Sequence, residues 1–179
     1  MLIRLNRFNL YLLTAALLVV FCGCQSAEKK RKKQTAVFRV HIEGRAEETT
    51  RTLVVPIYRS APMNMAVVRS PFITEEKVKH AEVIDTPGGY QLKIELDRQG
   101  TYLLEQYTAA NREKHLAIFC NFASLTNLSI HVDRWLAAPK ITQRISNGIL
   151  SFTPDADREE AEHIANSLNN VAKKLQTGT

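Results

Sequence analysis

Glu82-Val83-Ile84-Asp85-Thr86-Pro87-Gly88-Gly89-Tyr90-Gln91-Leu92-Lys93-Ile94-Glu95-Leu96 is the stretch whose reading decides the fold class. Tyr90, Leu92, Ile94 and Leu96 alternate with Gln91, Lys93 and Glu95, the period-two pattern of a strand with one face in water. Pro87-Gly88-Gly89 supplies a turn, so Glu82–Thr86 and Tyr90–Leu96 are expected as an antiparallel hairpin. Immediately after it, Asp97 stands where it can cap a helix carrying Leu103, Leu104, Tyr107 and Ala110 as an apolar stripe. Alternation that gives way to helical spacing in this manner predicts an α+β domain, with helices packed on antiparallel strands.

Toward the carboxyl end, Asn111 to Lys114 turns the chain into a buried strand over His115–Phe122. Ala123 to Pro139 shows no period and is expected to be irregular. Lys140–Ile145 and Ile149–Phe152 read as a second hairpin over Ser146-Asn147-Gly148. A long final helix follows, with Ala161, Ile164, Ala165, Leu168, Val171, Ala172 and Leu175 at helical spacing; its start lies between Thr153 and Asp157, since Pro154 fits the first helical position while Asp157 with Glu160 also makes a capping box. The expectation is one core shared by Leu92, Ile94, Ile118, Ile164 and Leu168, with the strands at 90–96 and 115–122 in one sheet. Toward the amino end, the segment starting near Ala36, then Arg51–Arg59 and Met63–Arg69, read as strands, and Pro71 ends that layer. Thr74 is expected to cap a short helix opened by Glu75 and Glu76.

The chain has 179 residues and a formal net charge of +6. That charge sits entirely in residues 1–33, where seven basic groups face Glu28 alone; residues 34–179 balance to zero. A nucleic-acid-binding domain is excluded, because phosphate affinity needs a sustained excess of Lys and Arg on the folded surface. The same leader holds Arg4 and Arg7, an apolar run from Leu10 to Phe21, and then Phe21-Cys22-Gly23-Cys24, the layout of an export signal. The last four residues resemble a lipobox, which makes Cys24 the expected lipidation site; an uncleaved membrane anchor is the other reading. The expected organisation is a signal at 1–23, a charged tether at 24–35, an N-terminal β-layer at 36–70 and an α+β domain at 71–175. Gln25 after Cys24 favours the outer membrane over the inner if lipoprotein sorting applies.

Signs of chemistry are sparse. Beyond Cys22 and Cys24 only Cys120 remains, inside the apolar run Leu116–Phe122, which reads as an inert core thiol. Glu160-x-x-His163 has the one-turn spacing of a carboxylate-bridged metal site but lacks the companion residues, and reads as solvated helix surface. No nucleophile elbow, phosphate loop or zinc-binding His-Glu-x-x-His occurs, so no catalytic residue, metal or cofactor is expected. Arg134, Trp135 and Leu136, in a segment without period, are the candidate partner-binding residues: Trp beside Arg is interface hot-spot chemistry, although a Trp equally pins a loop to its own core.

A family resemblance rests on several short stretches in a fixed order. These are Phe72-Ile73-Thr74, Ala81-Glu82-Val83, Leu116-Ala117-Ile118 and Ala137-Ala138-Pro139-Lys140-Ile141. Ile145-Ser146-Asn147-Gly148, Phe152-Thr153 and Glu159-Glu160-Ala161 complete the set. Residues 71–172 resemble the head subdomain of the first periplasmic domain of SecD, the membrane partner of the bacterial protein-export channel. The resemblance implies a ferredoxin-like α+β fold and contact with polypeptide. The multi-spanning motor of SecD, with its acidic transmembrane residues, has no counterpart in the single apolar segment found here. The expected function is therefore a non-catalytic envelope lipoprotein, anchored to the membrane through its lipid, whose domain contacts a protein partner or exported polypeptide. An envelope enzyme with a small-molecule site and a purely structural lipoprotein are the alternatives.

Overall fold

The computed structural model describes residues 34–48, 50–127 and 129–177. Cys24, the expected signal and most of the tether lie outside them. Among the described residues nine strands are found in chain order: β1 Val37–Ile42, β2 Thr52–Ile57, β3 Met63–Val68, β4 Ile73–Thr74, β5 Val78–Thr86, β6 Gly89–Leu96, β7 Leu116–Ala123, β8 His131–Ala137 and β9 Ile149–Phe152. Helix α1 spans Arg98–Ala110 and α2 spans Arg158–Thr177. The strands form a four-stranded sheet in the order β4-β1-β7-β8, the hairpin β2-β3, and a three-stranded sheet in the order β5-β6-β9. All pairings are antiparallel. The fold is thus α+β, with helices against antiparallel sheets and strands preceding them.

The 82–96 hairpin forms in the register that its alternation demands. Thr86 pairs with Gly89 across Pro87-Gly88, and Gly88 takes φ +93°, a left-handed value open to glycine at little cost. Leu92, Ile94 and Leu96 are buried, and Lys93 reaches across to the Glu82 carboxylate at 2.8 Å. The Asp97 carboxylate caps α1 by accepting from the Gly100 N–H at 2.6 Å. Of the stripe expected on α1, only Leu104 is fully buried; Thr108 takes the next inward position and spends its hydroxyl on the Leu104 carbonyl. Tyr107 instead lies at the rim, stacked on Phe72 with ring centroids 4.1 Å apart.

One large core includes Phe38, Val40 and Ile42 of β1, Leu116, Ile118, Cys120 and Phe122 of β7, Leu92, Ile94 and Leu96 of β6, and Ile164, Ala165 and Leu168 of α2. The five residues expected to share a core do so. Their strands nevertheless lie in two sheets, since β6 pairs with β5 and β9 whereas β7 pairs with β1 and β8. Helix α2 also closes an edge: the Asn169 side chain accepts from the Ala81 N–H and donates to its carbonyl, both at 2.8 Å. That occupies main-chain groups of β5, an edge strand otherwise open to foreign pairing.

Four local expectations are corrected. Residues 131–137, expected to be irregular, form β8; a bulge places Leu136 between Trp135 and Ala137, which pair with Phe119 and Ile118, and this breaks the alternation. The second hairpin does not form, because β9 pairs with β6 rather than with residues 140–145. The helix expected after Thr74 is a single 3-10 turn over Glu75–Lys77 without a Thr74 side-chain cap; the Glu75 carboxylate accepts from the Phe38 N–H at 3.2 Å instead. His163 is buried, 2.9 Å from the Ala123 carbonyl, where a solvated surface was expected.

Candidate protein-contact surface

The four-stranded sheet has a second face, and the β2–β3 hairpin covers it. Alternation along β1 and β7 turns His41 and Ala117 away from the main core, and Trp135 of β8 joins them. Val55, Ile57, Met65 and Val67 of the hairpin pack down on Ala117 and Ala138, with Trp135 half-buried at the margin. The Trp135 ring lies 5.3 Å from the His41 ring and 5.2 Å from Phe119, tilted against both. The His41 Nδ1 is 2.8 Å from the Val68 carbonyl. A carbonyl only accepts, so Nδ1 carries the proton and ties β1 to β3.

At its far end the hairpin is held by charge. The Arg59 N–H donates to the Asp155 carboxylate at 2.8 Å, and its guanidinium bonds the same carboxylate and the Asp155 carbonyl. Arg134 sits beside this joint, bidentate on Glu160 at 2.6 and 3.0 Å and above the Phe122 ring. Those Arg134 hydrogen bonds hold the Glu160 carboxyl below the usual carboxylate range, against partial burial. Glu160 also closes the expected capping box, its N–H donating to Asp157 at 2.8 Å.

The three candidate contact residues therefore occupy different places. Leu136 is fully buried in the main core, and Arg134 is buried and engaged with Glu160. Trp135 alone keeps partial solvent exposure. Sequence reasoning missed a neighbouring set: Leu53, Val54, Tyr58 and Met63 on and beside the hairpin are all exposed, Val54 at 57%. The signal was present in Leu53-Val54-Val55, where consecutive apolar residues cannot all face one side of a strand.

Burial pushes the Cys120 thiol up, which removes it as a nucleophile. Among the described residues no group of three or more His, Cys, Asp and Glu side chains could hold a metal ion. Among them, too, no helix is long and apolar enough to cross a membrane.

The family model described as "SecDF, P1 head subdomain" matches residues 52–172, from the first residue of the hairpin into α2. This chain belongs to the SecDF P1 head subdomain family. The fold is also found in solved SecDF structures. One, described as a membrane component that enhances protein export, shares 21% identity at a TM-score of 0.54, over 82% of this chain and 67% of that one. Another, SecDF in a super-membrane-facing form, shares 22% at a TM-score of 0.54; the chain spans only 20% of its length. No curated protein matches the chain. The expected outer-membrane placement is corrected by the same likeness, because SecDF-type proteins are inner-membrane components of the translocon.

Proposed function

We propose that this SecDF head-type domain is a non-catalytic contact module for polypeptide, acting beside the membrane-embedded export machinery. Membership of the P1 head family over residues 52–172 carries the reading. The contact surface is the exposed part of the β2–β3 hairpin and its turn, where Leu53, Val54, Tyr58 and Met63 reach solvent, with Trp135 at its margin. Apolar side chains grouped on one small element suit transient contact with an extended chain better than recognition of a small polar ligand. Pro56 removes one donor from β2, which limits strand addition by other copies of the protein.

The lipid on Cys24, freed by cleavage of the signal at 1–23, would hold the domain at the membrane. Replacing Cys24 by Ser should then abolish fatty-acid labelling, and unchanged labelling would refute that anchor. The contact reading is tested by site-specific photo-cross-linking in cells carrying an exported protein arrested in transit. A cross-linker at Val54 should capture the arrested chain, whereas one at the equally exposed Tyr102 on α1 should not. Equal capture from both positions, or from neither, would overturn the reading.

A further inference from the structure

His41 stands at the seam between the four-stranded sheet and the hairpin, only 6% exposed. Its Nδ1–H is committed to the Val68 carbonyl, so the neutral ring leaves Nε2 without a proton inside the seam. We propose that His41 is a pH-sensitive seat for the β2–β3 hairpin: as the neutral imidazole it holds the hairpin down, and on protonation it lets the hairpin lift and bares Trp135.

The surroundings give the added charge little to pair with. On β1 itself the charged neighbours are Arg39 and, just beyond the strand, Glu43. The Glu43 carboxylate is taken by His115 at the head of β7, accepting from its backbone N–H at 2.9 Å and lying 2.7 Å from its ring. On β3 the nearest charged residue is Arg69, directly after Val68, and Arg51 pairs with it at the base of β2. On β8 the neighbour is Trp135, an uncharged ring 5.3 Å away that brings no carboxylate to the seam. Burial holds the His41 ring below the ordinary histidine value of 6.5; the Val68 hydrogen bond opposes this, and the like charge of Arg39 reinforces it. The ring's contribution is therefore fully present above about pH 6.5 and is lost as the pH falls below it.

The hairpin is the part that yields. Its apolar seat is small, with Ala117 and Ala138 as its floor, while its other ties include the Gly44 N–H to the Ala66 carbonyl, the Glu43–Val67 bridge, the Ala138 N–H to the Tyr58 hydroxyl at 3.5 Å, and the Arg59 bonds to Asp155 and Glu160. The main core does not depend on them.

Trp135 is the one tryptophan of the chain, so its quenching by acrylamide reports its exposure directly. In the full chain, lowering the pH from about 7.5 to about 5 should raise that quenching severalfold. The population with the hairpin lifted should grow over the same range. Amide resonances of Val55 and Val67 should shift over the same range while those of Leu92 and Ile94 stay in place. His41→Gln, which keeps a donor but does not titrate, should make the quenching independent of pH. Should that variant not fold, the wild-type imidazole titration decides, with a midpoint below 6.5 expected. A pH response unchanged in His41→Gln, a His41 midpoint at or above 6.5, or shifts of Leu92 and Ile94 together with Val55 would each overturn the proposal.

Discussion

The two sides of the four-stranded sheet are built differently. On one side Phe38, Phe122, Ile118, Leu92, Ile164 and Leu168 meet from two sheets and a helix, all without solvent exposure. On the other, four hairpin side chains rest on two alanines and the margin of one tryptophan. Burial contributes in proportion to apolar area, and branched side chains meeting from several directions remove far more of it than a hairpin lying on alanine. The first side is a platform. The second carries Leu53, Val54, Tyr58 and Met63, all exposed, and local opening is drawn from regions with few buried contacts. The contrast between platform and arm can be broken by mutation.

The largest effect belongs to the platform. Leu168→Ala should cost about 2–5 kcal/mol of global stability, read by denaturant unfolding, from lost transfer energy plus the cavity it leaves. A loss confined to the hairpin would contradict the division. Met65→Ala is the counterpart on the arm. It should cost about 2 kcal/mol, at the low end for such truncations because the site can collapse, and hydrogen exchange should place the loss in β2 and β3.

Glu160→Gln tests the joint between the two. It leaves Arg134 buried without its counter-charge, and should cost about 1–2 kcal/mol because Glu160 keeps some solvent contact. The Glu160 pKa is depressed in the folded state, so its contribution is present above the ordinary carboxylate value and lost as the pH falls through the depressed one. The variant's stability should accordingly fall less steeply below about pH 4.5 than the wild type's. Val54→Asp is the smallest in stability, within about 0.5 kcal/mol, yet it should remove cross-linking to the arrested chain.

The elements legible in the sequence were those whose period is undisturbed. The 82–96 hairpin and the Asp97 cap follow from local rules and formed as read, and of the two starts open to the last helix the Asp157–Glu160 capping box formed rather than the one at Pro154. Strand β8 was hidden because Arg134 points inward to an ion pair and the bulge at Leu136 shifts the phase, so neither period fits. Burial of His41 and His163 was illegible for a related reason. Each polar ring lies where a second element covers it, the hairpin over His41 and the end of β7 beside His163, and that cover is tertiary. The exposure of Leu53 and Val54 was passed over because their strand carries apolar residues on both faces and so shows no alternation.

Native-state hydrogen exchange of the full chain at neutral pH tests the separation of arm from platform most directly. The amides of Val55, Ile57 and Val67 should exchange through an opening that leaves Ile94, Ile118 and Leu168 protected, at rates higher by at least about tenfold after correction for intrinsic exchange. A single opening free energy shared by the hairpin and the main core would contradict the account.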